Sequence, residues 1–332
     1  MSSLAETTPA GARARIQPTR NAGIAGLGAA LPAETVANAA IAARLELGPE
    51  WIERRTGIRN RRRAAPDERV VDLAAQAGRA ALADAGLDAG AIDTVLVATM
   101  SADELTPNTA PQVAHALGAE RAGAMDIGAA CTGFVAGLTV AAGLVEAGRA
   151  ENVLMIGAEI LSRLLDYDDR STAGLFGDGA GAVVVTASAA GSVGTSVLGS
   201  DGSAAAYIRA PHDTGLISMD GHETFKRAVT TLASNALEAL DANGLTRDDI
   251  ELFVFHQANG RITSAVADAI AVDPSRVVDA IGEMGNTSAA SIPLALSEAH
   301  REGRLGAGDR VLLGAVGAGF TWGATVVTWG AA

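Results

Sequence analysis

The sequence predicts an α/β fold made of two related halves, and three observations carry that prediction. Short β-branched apolar runs alternate with Ala-rich stretches, a pattern of glycines and strand starts recurs along the chain, and the apolar residues are small. The runs that read as strands are Thr94–Thr99, Val153–Gly157, Ala182–Thr186, Leu252–His256, Val311–Ala315 and Thr325–Trp329. Each is brief and nearly all apolar, as expected of strands covered on both faces. The stretches that read as helices are Val70–Ala85, Cys131–Ala147, Phe225–Ala242, Arg261–Ile270 and Ser291–Glu302.

The repeat is more informative than any single element. Ala85-Gly86-Leu87, Ile92-Asp93 and Val95–Thr99 match Asn243-Gly244-Leu245, Ile250-Glu251 and Phe253–His256 at a constant offset of 158. Cys131 stands 17 residues before Gly148, and Asn286 stands 17 before Gly303, so the spacing pairs Cys131 with Asn286. These matches predict a flexible tail at 1–20, a first half at 21–190 and a second at 191–332, packed about a pseudo-twofold axis. Arg13, Arg15 and Arg20 with Pro9, Pro18 and no apolar run give the tail its reading, which is not that of a secretory signal.

Composition narrows the class of protein. Hydrophobic residues make up 48% of the 332 residues and charged ones 19%, so the chain has ample material for a core. Aromatics are 3%, which leaves Ala, Val, Leu and Ile to build it. Asp and Glu number 38 against 25 Lys and Arg, and a net charge of −13 argues against general binding to nucleic acid or anionic membrane. No run approaches a membrane span, and a cytoplasmic location is expected. The single cysteine excludes an internal disulfide and a multi-cysteine metal site. No metal cluster or phosphate loop is found, and Gly26-Leu27-Gly28 and Gly177–Gly181 fit tight packing better than a dinucleotide site.

A lone cysteine is either packing or a nucleophile. Cys131 follows the small residues Gly128-Ala129-Ala130 and opens an Ala- and Leu-rich helix, where free N–H groups and the helix dipole would favour thiolate and lower its pKa. His256 ends an apolar strand, where an imidazole can face a cleft and donate a proton near neutral pH, or serve as an ordinary structural histidine. Asn286, in Gly285-Asn286-Thr287-Ser288, is a candidate donor or a helix cap. In a doubled α/β fold the three would meet at the axis, beyond the carboxyl ends of the strands.

Together these residues resemble the thiolase-like condensing enzymes, most closely the β-ketoacyl-acyl-carrier-protein synthase III family. The likeness runs from about residue 21 to Trp329. It rests on Trp51-Ile52 with Arg55-Thr56-Gly57-Ile58-Arg59, Ala130-Cys131, Phe176-Gly177-Asp178-Gly179-Ala180-Gly181, His256-Gln257-Ala258-Asn259, Gly285-Asn286-Thr287-Ser288 and Gly319-Phe320-Thr321-Trp322-Gly323. The resemblance implies a duplicated five-layer αβαβα fold and a homodimer. It implies that Cys131 takes an acyl group from acyl-CoA, and that His256 and Asn286 bind the thioester carbonyl of malonyl-acyl carrier protein while it loses CO₂. The backbone N–H groups of Cys131 and Ala318 would form the oxyanion hole.

The same resemblance assigns Trp51, Arg55, Arg170 and Asn259 to CoA, with Trp51 and Arg170 enclosing adenine and Arg55 near the phosphates. Arg54, Arg55, Arg59, Arg61, Arg62 and Arg63 then read as a basic cluster serving CoA in an acidic protein. Thr106, Phe225 and Val316 fall on the acyl pocket, and Lys226, Gln257 and Arg261 on the carrier-docking face. No cofactor is implied, since acyl-CoA is a substrate. Thr106 and Val316 stand where Phe is expected, the stretch from Asp201 to His222 is short, and Asp268 and Ala269 replace an expected basic pair. Smaller walls would admit a longer or branched primer. Two competing readings are an acyltransferase that passes the acyl group to a hydroxyl or amine without decarboxylation, and a non-catalytic partner subunit.

Overall fold

The structure is a computed structural model that describes residues 20–48, 50–187 and 190–330. Most of the predicted tail lies outside these residues. Arg20 lies within them and is anchored, donating to the carbonyls of Val145 and Ala150 and pairing with Glu151 at 2.7 Å.

Two mixed sheets form the frame. The first runs in the order Ala22–Ala30, Asp178–Ala187, Asn152–Ile160, Thr94–Ala98 and Gly123–Ile127, its last three strands parallel. In the second, Leu252–Phe255 lies parallel to Arg310–Gly317, which pairs antiparallel with Thr321–Thr328. Ser192–Val193 and Val197–Ser200 complete that edge, and Val277 makes one parallel bridge to Phe253 at the other. With that bridge counted as a fifth position, both sheets carry their strands in the same order.

Three layers of helix enclose the sheets. Gly133–Glu146 and Ser291–Arg301 lie between them in one core with residues of both sheets. Val70–Ala85 and Thr109–Leu117 cover the outer face of the first sheet. Gly221–Ala242 and Gly260–Ala269 cover the outer face of the second. The fold is therefore the duplicated αβαβα arrangement. Phe134 and Leu138 of the central layer are fully buried, each contributing about 1.5–3 kcal/mol of hydrophobic free energy.

Every predicted strand and helix is present, with ends shifted by a few residues. The strands Ala22–Ala30 and Gly123–Ile127 and the helix Thr109–Leu117 are additional. Gly26 and Gly28 weaken the strand signal of the first, and their role is contact. A Cβ on them would meet the carbonyl oxygens of Ala81 and Ala77 at 2.3 and 2.2 Å, so helix Val70–Ala85 rests directly on the strand backbone.

The repeat is visible in backbone angles. Gly86 and Gly244 end their helices at φ 65° and 68°, and Gly148 and Gly303 sit at 68° and 70°. At the helix starts the spacing misleads. Ala130 and Ser288 both have φ 46° and each opens a 3₁₀ turn that leads into a central helix. They stand 158 apart, the offset of the earlier match. Cys131 thus corresponds to Ala289, not Asn286, because the second helix has 11 residues where the first has 14.

Candidate active site

Cys131 sits in the turn Ala130–Thr132 and is half-buried. The turn is stitched to the end of the second sheet. The Thr132 and Thr321 hydroxyls are 2.9 Å apart, and Thr321 donates to the Ala318 carbonyl at 3.0 Å. A Cβ on Gly317 would lie 2.9 Å from the Cys131 nitrogen, so Gly317 and Ala318 can lie against the nucleophile only because residue 317 has no side chain. The expected low thiol pKa is not found. Burial pushes the thiol up to about 11, a nearby Ser288 hydroxyl acts against this, and the Glu159 carboxylate adds to it. Desolvation outweighs the donors of the helix start.

His256 follows the strand Leu252–Phe255 and is 2% exposed. Burial pushes its imidazole down to about 3, so it is neutral at physiological pH and does not exchange a proton there. Ser291 Oγ lies 2.6 Å from Nδ1 and accepts the Gln257 N–H at 3.4 Å. When Ser291 donates its proton to Nδ1, the ring proton sits on Nε2. In that tautomer the buried neutral ring offers Nε2–H as a donor.

Asn286 is held in a short parallel bridge with Phe176. Its N–H donates to the Leu175 carbonyl at 2.9 Å and its carbonyl accepts from Gly177 at 3.0 Å. Here the Phe176–Gly181 motif finds its physical reason. A Cβ on Gly177 would meet the Met284 carbonyl oxygen at 2.2 Å, and Asp178 accepts from Ala64, Ser162 N and Ser162 Oγ at 2.6–2.8 Å. The Asn286 Oδ1 accepts the Ser288 N–H at 2.9 Å, leaving Nδ2 as a donor for the cavity.

Cys131, His256, Asn286 and Ala318 line one cavity of about 470 Å³. Trp51, Arg55, Arg170, Asn259, Phe225, Val316 and Arg261 line it as well. The Arg55 guanidinium lies 4.6 Å from the Trp51 ring centroid and Arg261 5.6 Å from that of Phe225. Arg170 donates to the Leu45 carbonyl at 3.2 Å. Asn259 caps helix Gly260–Ala269 through Oδ1 and donates from Nδ2 to the Arg55 carbonyl at 3.1 Å, which ties the two sides of the mouth together.

Three expectations need correction. Thr106 is exposed, beside the 87%-exposed Leu105, and does not line this cavity. Gln257 is 3% exposed and its amide is fully engaged, donating to Phe255 and Val278 and accepting from Ala280, so it locks the backbone after His256 and offers nothing to a carrier. The arginine cluster divides. Arg61 is 3% exposed and donates to Val36, Asn38 and Gly174, its pKa lowered by burial to about 10. Arg54, Arg59 and Arg63 pair with Glu50, Glu283 and Glu34, Arg62 donates to Pro32, and only Arg55 of the six reaches the cavity. Lys226 is exposed on a separate groove with Glu223 and Glu238, while Asp268 and Ala269 are exposed on the helix that begins beside Arg261.

Sequence reading missed Glu159 and Ser291. Glu159 is fully buried in the strand Asn152–Ile160, and the one signal for it is an acid within an otherwise apolar run.

A cysteine, a neutral histidine donor and an asparagine donor meeting in one cavity at the axis of a doubled α/β fold define a thiol-dependent acyl-transferring enzyme of the thiolase-like class. Known proteins agree. Residues 125–218 match the family model for 3-oxoacyl-(acyl-carrier-protein) synthase III, and residues 240–329 match the model for its C-terminal part. β-Ketoacyl-(acyl-carrier-protein) synthase III 2 of Streptomyces coelicolor is 45% identical over 312 residues, covering 93% of this chain and 94% of that protein. The crystal structure of 3-oxoacyl-(acyl-carrier-protein) synthase III from Aquifex aeolicus superposes with TM-score 0.91 at 40% identity, covering 93% of this chain and all of the other. A priming β-ketosynthase from a polyketide biosynthetic pathway gives TM-score 0.90 at 36% identity over 97% of this chain and all of the other.

The chain belongs to the β-ketoacyl-acyl-carrier-protein synthase III family. It is an acyltransferase of that type.

Proposed function

We propose that the enzyme joins a starter acyl-CoA to malonyl-acyl carrier protein with loss of CO₂, through an acyl group carried on Cys131. The observation that carries this reading is that a neutral His256 imidazole and the Asn286 amide line the cavity that holds the only cysteine; with Nε2 protonated, the two are neutral donors. Loss of CO₂ develops enolate charge on the malonyl thioester oxygen, which such donors stabilise more in the transition state than in the ground state. The carbanion attacks the acyl-Cys131 carbonyl, whose oxygen is held by the N–H groups of Cys131 and Ala318. Transfer to a hydroxyl or amine has no carbanion to form and gives Asn286 nothing to stabilise.

Acyl-CoA enters past Trp51, with adenine against that ring and Arg170, phosphates at Arg55 and the pantetheine arm at Asn259. Phe225 and Val316 bound the acyl group. Arg261 and Lys226 are the exposed cations suited to an acidic carrier. Thiol, donors and released CO₂ supply the chemistry, so no resident cofactor or metal is needed, and among the described residues no group of three His, Cys, Asp or Glu is placed to hold a metal ion.

Two related halves, 21–190 and 191–332, form one fold. A homodimer fits the first sheet, whose edge strand Gly123–Ile127 is paired on one side only and exposes Met125. No helix among the described residues is long and apolar enough to cross a membrane; a cytoplasmic location is our reading from the proposed CoA and carrier-protein substrates. Intact-protein mass spectrometry after exposure to a panel of acyl-CoAs tests the reading. One acyl mass on wild type and none on Cys131→Ala is expected; equal acylation of the mutant contradicts it.

A further inference from the structure

The helix wall of the active-site cavity carries a hydroxyl without a partner. Gly221, Thr224, Phe225 and Ala228 of helix Gly221–Ala242 line the cavity at helical spacing, so one stripe of that helix faces it. Ile208 and Met219, paired in the hairpin that leads into the helix, line it too. Thr224 is 7% exposed, and its Oγ1 is buried with no hydrogen-bond partner among the described residues. Hydroxyls in other helical turns do find one. Thr56, Thr139, Thr230 and Ser264 each donate to the carbonyl four residues earlier, at 2.7–3.0 Å. The Asp220 carbonyl, four before Thr224, accepts the Thr224 N–H at 3.0 Å and not its hydroxyl.

Depth along the helix says what meets that hydroxyl. Gly221 and His222, at the helix start, are exposed, whereas Ala228 is buried, so the stripe runs inward from the mouth. Thr224 stands one helical turn inside. Phe225 beside it lies 5.6 Å from the Arg261 guanidinium, at the start of the helix that Asn259 caps. Asn259 already commits Oδ1 to the Arg261 N–H and Nδ2 to the Arg55 carbonyl. A thioester reaching Cys131 from this mouth draws its pantetheine arm past Thr224, and that arm carries amides along a largely saturated chain. A hydroxyl suits an amide from either side, since it can donate to the carbonyl or accept from the N–H. Buried and unpaired it costs free energy that a valine of the same shape would not. A hydrogen bond to the bound arm offsets that cost.

We propose that Thr224 Oγ1 hydrogen-bonds an amide of the pantetheine arm, and that it does so for both substrates. The inference rests on the proposed function, in which acyl-CoA and malonyl-acyl carrier protein deliver their groups through this cavity. Both carry the same arm, so one hydroxyl serves both half-reactions. Thr224 touches no reacting atom. It fixes the depth of the arm, and with it the reach of each thioester toward Cys131. The acyl chain changes from one acyl-CoA to the next while the arm does not, so the contact favours no primer over another.

The test compares wild type with Thr224→Val, which keeps the shape and removes the hydroxyl, and with Thr224→Ser, which keeps the hydroxyl. Acylation of Cys131 is measured with one straight-chain acyl group presented as its CoA, pantetheine and S-ethyl thioesters. Condensation is measured with malonyl carrier protein, and thermal unfolding on the free enzyme. Thr224→Val should raise the KM for acyl-CoA, acyl-pantetheine and malonyl carrier protein by roughly fivefold each with kcat little changed, and Thr224→Ser should restore it. With the S-ethyl thioester, which has no amide, Thr224→Val and wild type should agree within about twofold. The free Thr224→Val enzyme should unfold at or above the wild-type temperature, because the hydroxyl has no protein partner to lose. An unchanged KM for acyl-CoA overturns the proposal, as does an equal loss with the S-ethyl thioester, which would reduce Thr224 to wall shape. A rise for acyl-CoA alone overturns the claim for both substrates, and a lower unfolding temperature shows the hydroxyl bonded within the protein and overturns it too. Wild type that takes no acyl group from acyl-CoA on Cys131 would contradict the acyl-carrier reading instead.

Discussion

The two 3₁₀ turns at the axis, Ala130–Thr132 and Ser288–Ala290, share a backbone and divide the chemistry. Both begin with a residue at φ 46° and both lead into a central helix. The first presents the sulfur that, on the proposed function, gains an acyl group and loses it again. The second has Ala289 at the matching position, and the group it offers on the same reading is Asn286, before the turn, whose Oδ1 accepts the Ser288 N–H. The doubled fold supplies two equivalent positions, and on the proposed function one holds the nucleophile and the other supports the donors.

The largest break in that comparison is Cys131→Ala, expected to abolish acylation and lower turnover by roughly 10⁴-fold or more, read by mass spectrometry and product formation. Next come His256→Ala and Asn286→Ala, expected to lower condensation by ~10²–10³-fold while Cys131 still takes up the acyl group. Equal loss of acylation in both would erase the distinction between the turns. Arg55→Ala acts at the mouth only. It should raise the KM for acyl-CoA about tenfold with kcat little changed, as expected from one cation stacked on Trp51.

The smallest effect is on stability against pH. The folded state holds His256 down at about 3 against an ordinary value of 6.5, so its contribution is present above pH 6.5 and is lost as pH falls toward 3. Glu159 is held up at about 7 against 4.5, so its contribution is present below pH 4.5 and is lost as pH rises through 7. Between pH 4.5 and 6.5 the two slopes oppose each other. Glu159→Gln removes one of them, and chemical denaturation of that variant should show stability rising with pH by about 1.4 kcal/mol per unit in this window. Wild type should be nearly flat there.

Much of this was legible in the sequence because it follows from local pattern. Strands such as Leu252–Phe255 and helices such as Val70–Ala85 stand out by their apolar runs, and Cys131, His256 and Asn286 lie in short motifs. The misses have physical causes. Ala22–Ala30 is a strand whose glycines serve the helix lying on it. Gln257 and Arg61 belong to motifs read as surface chemistry, yet their polar atoms hold backbone groups in the interior. The Cys131 pKa could not be read from a helix start, since burial decides its direction.

On the proposed function, the second turn's neighbours serve decarboxylation. The direct measurement is a single turnover of enzyme pre-acylated on Cys131, mixed with malonyl carrier protein labelled at the free carboxyl. The account predicts one CO₂ released per acyl group in wild type, and an acyl group retained on Cys131 without CO₂ release over the same interval in Asn286→Ala. Wild type that delivers its acyl group to an acceptor without releasing CO₂, or Asn286→Ala that releases it at the wild-type rate, would contradict it.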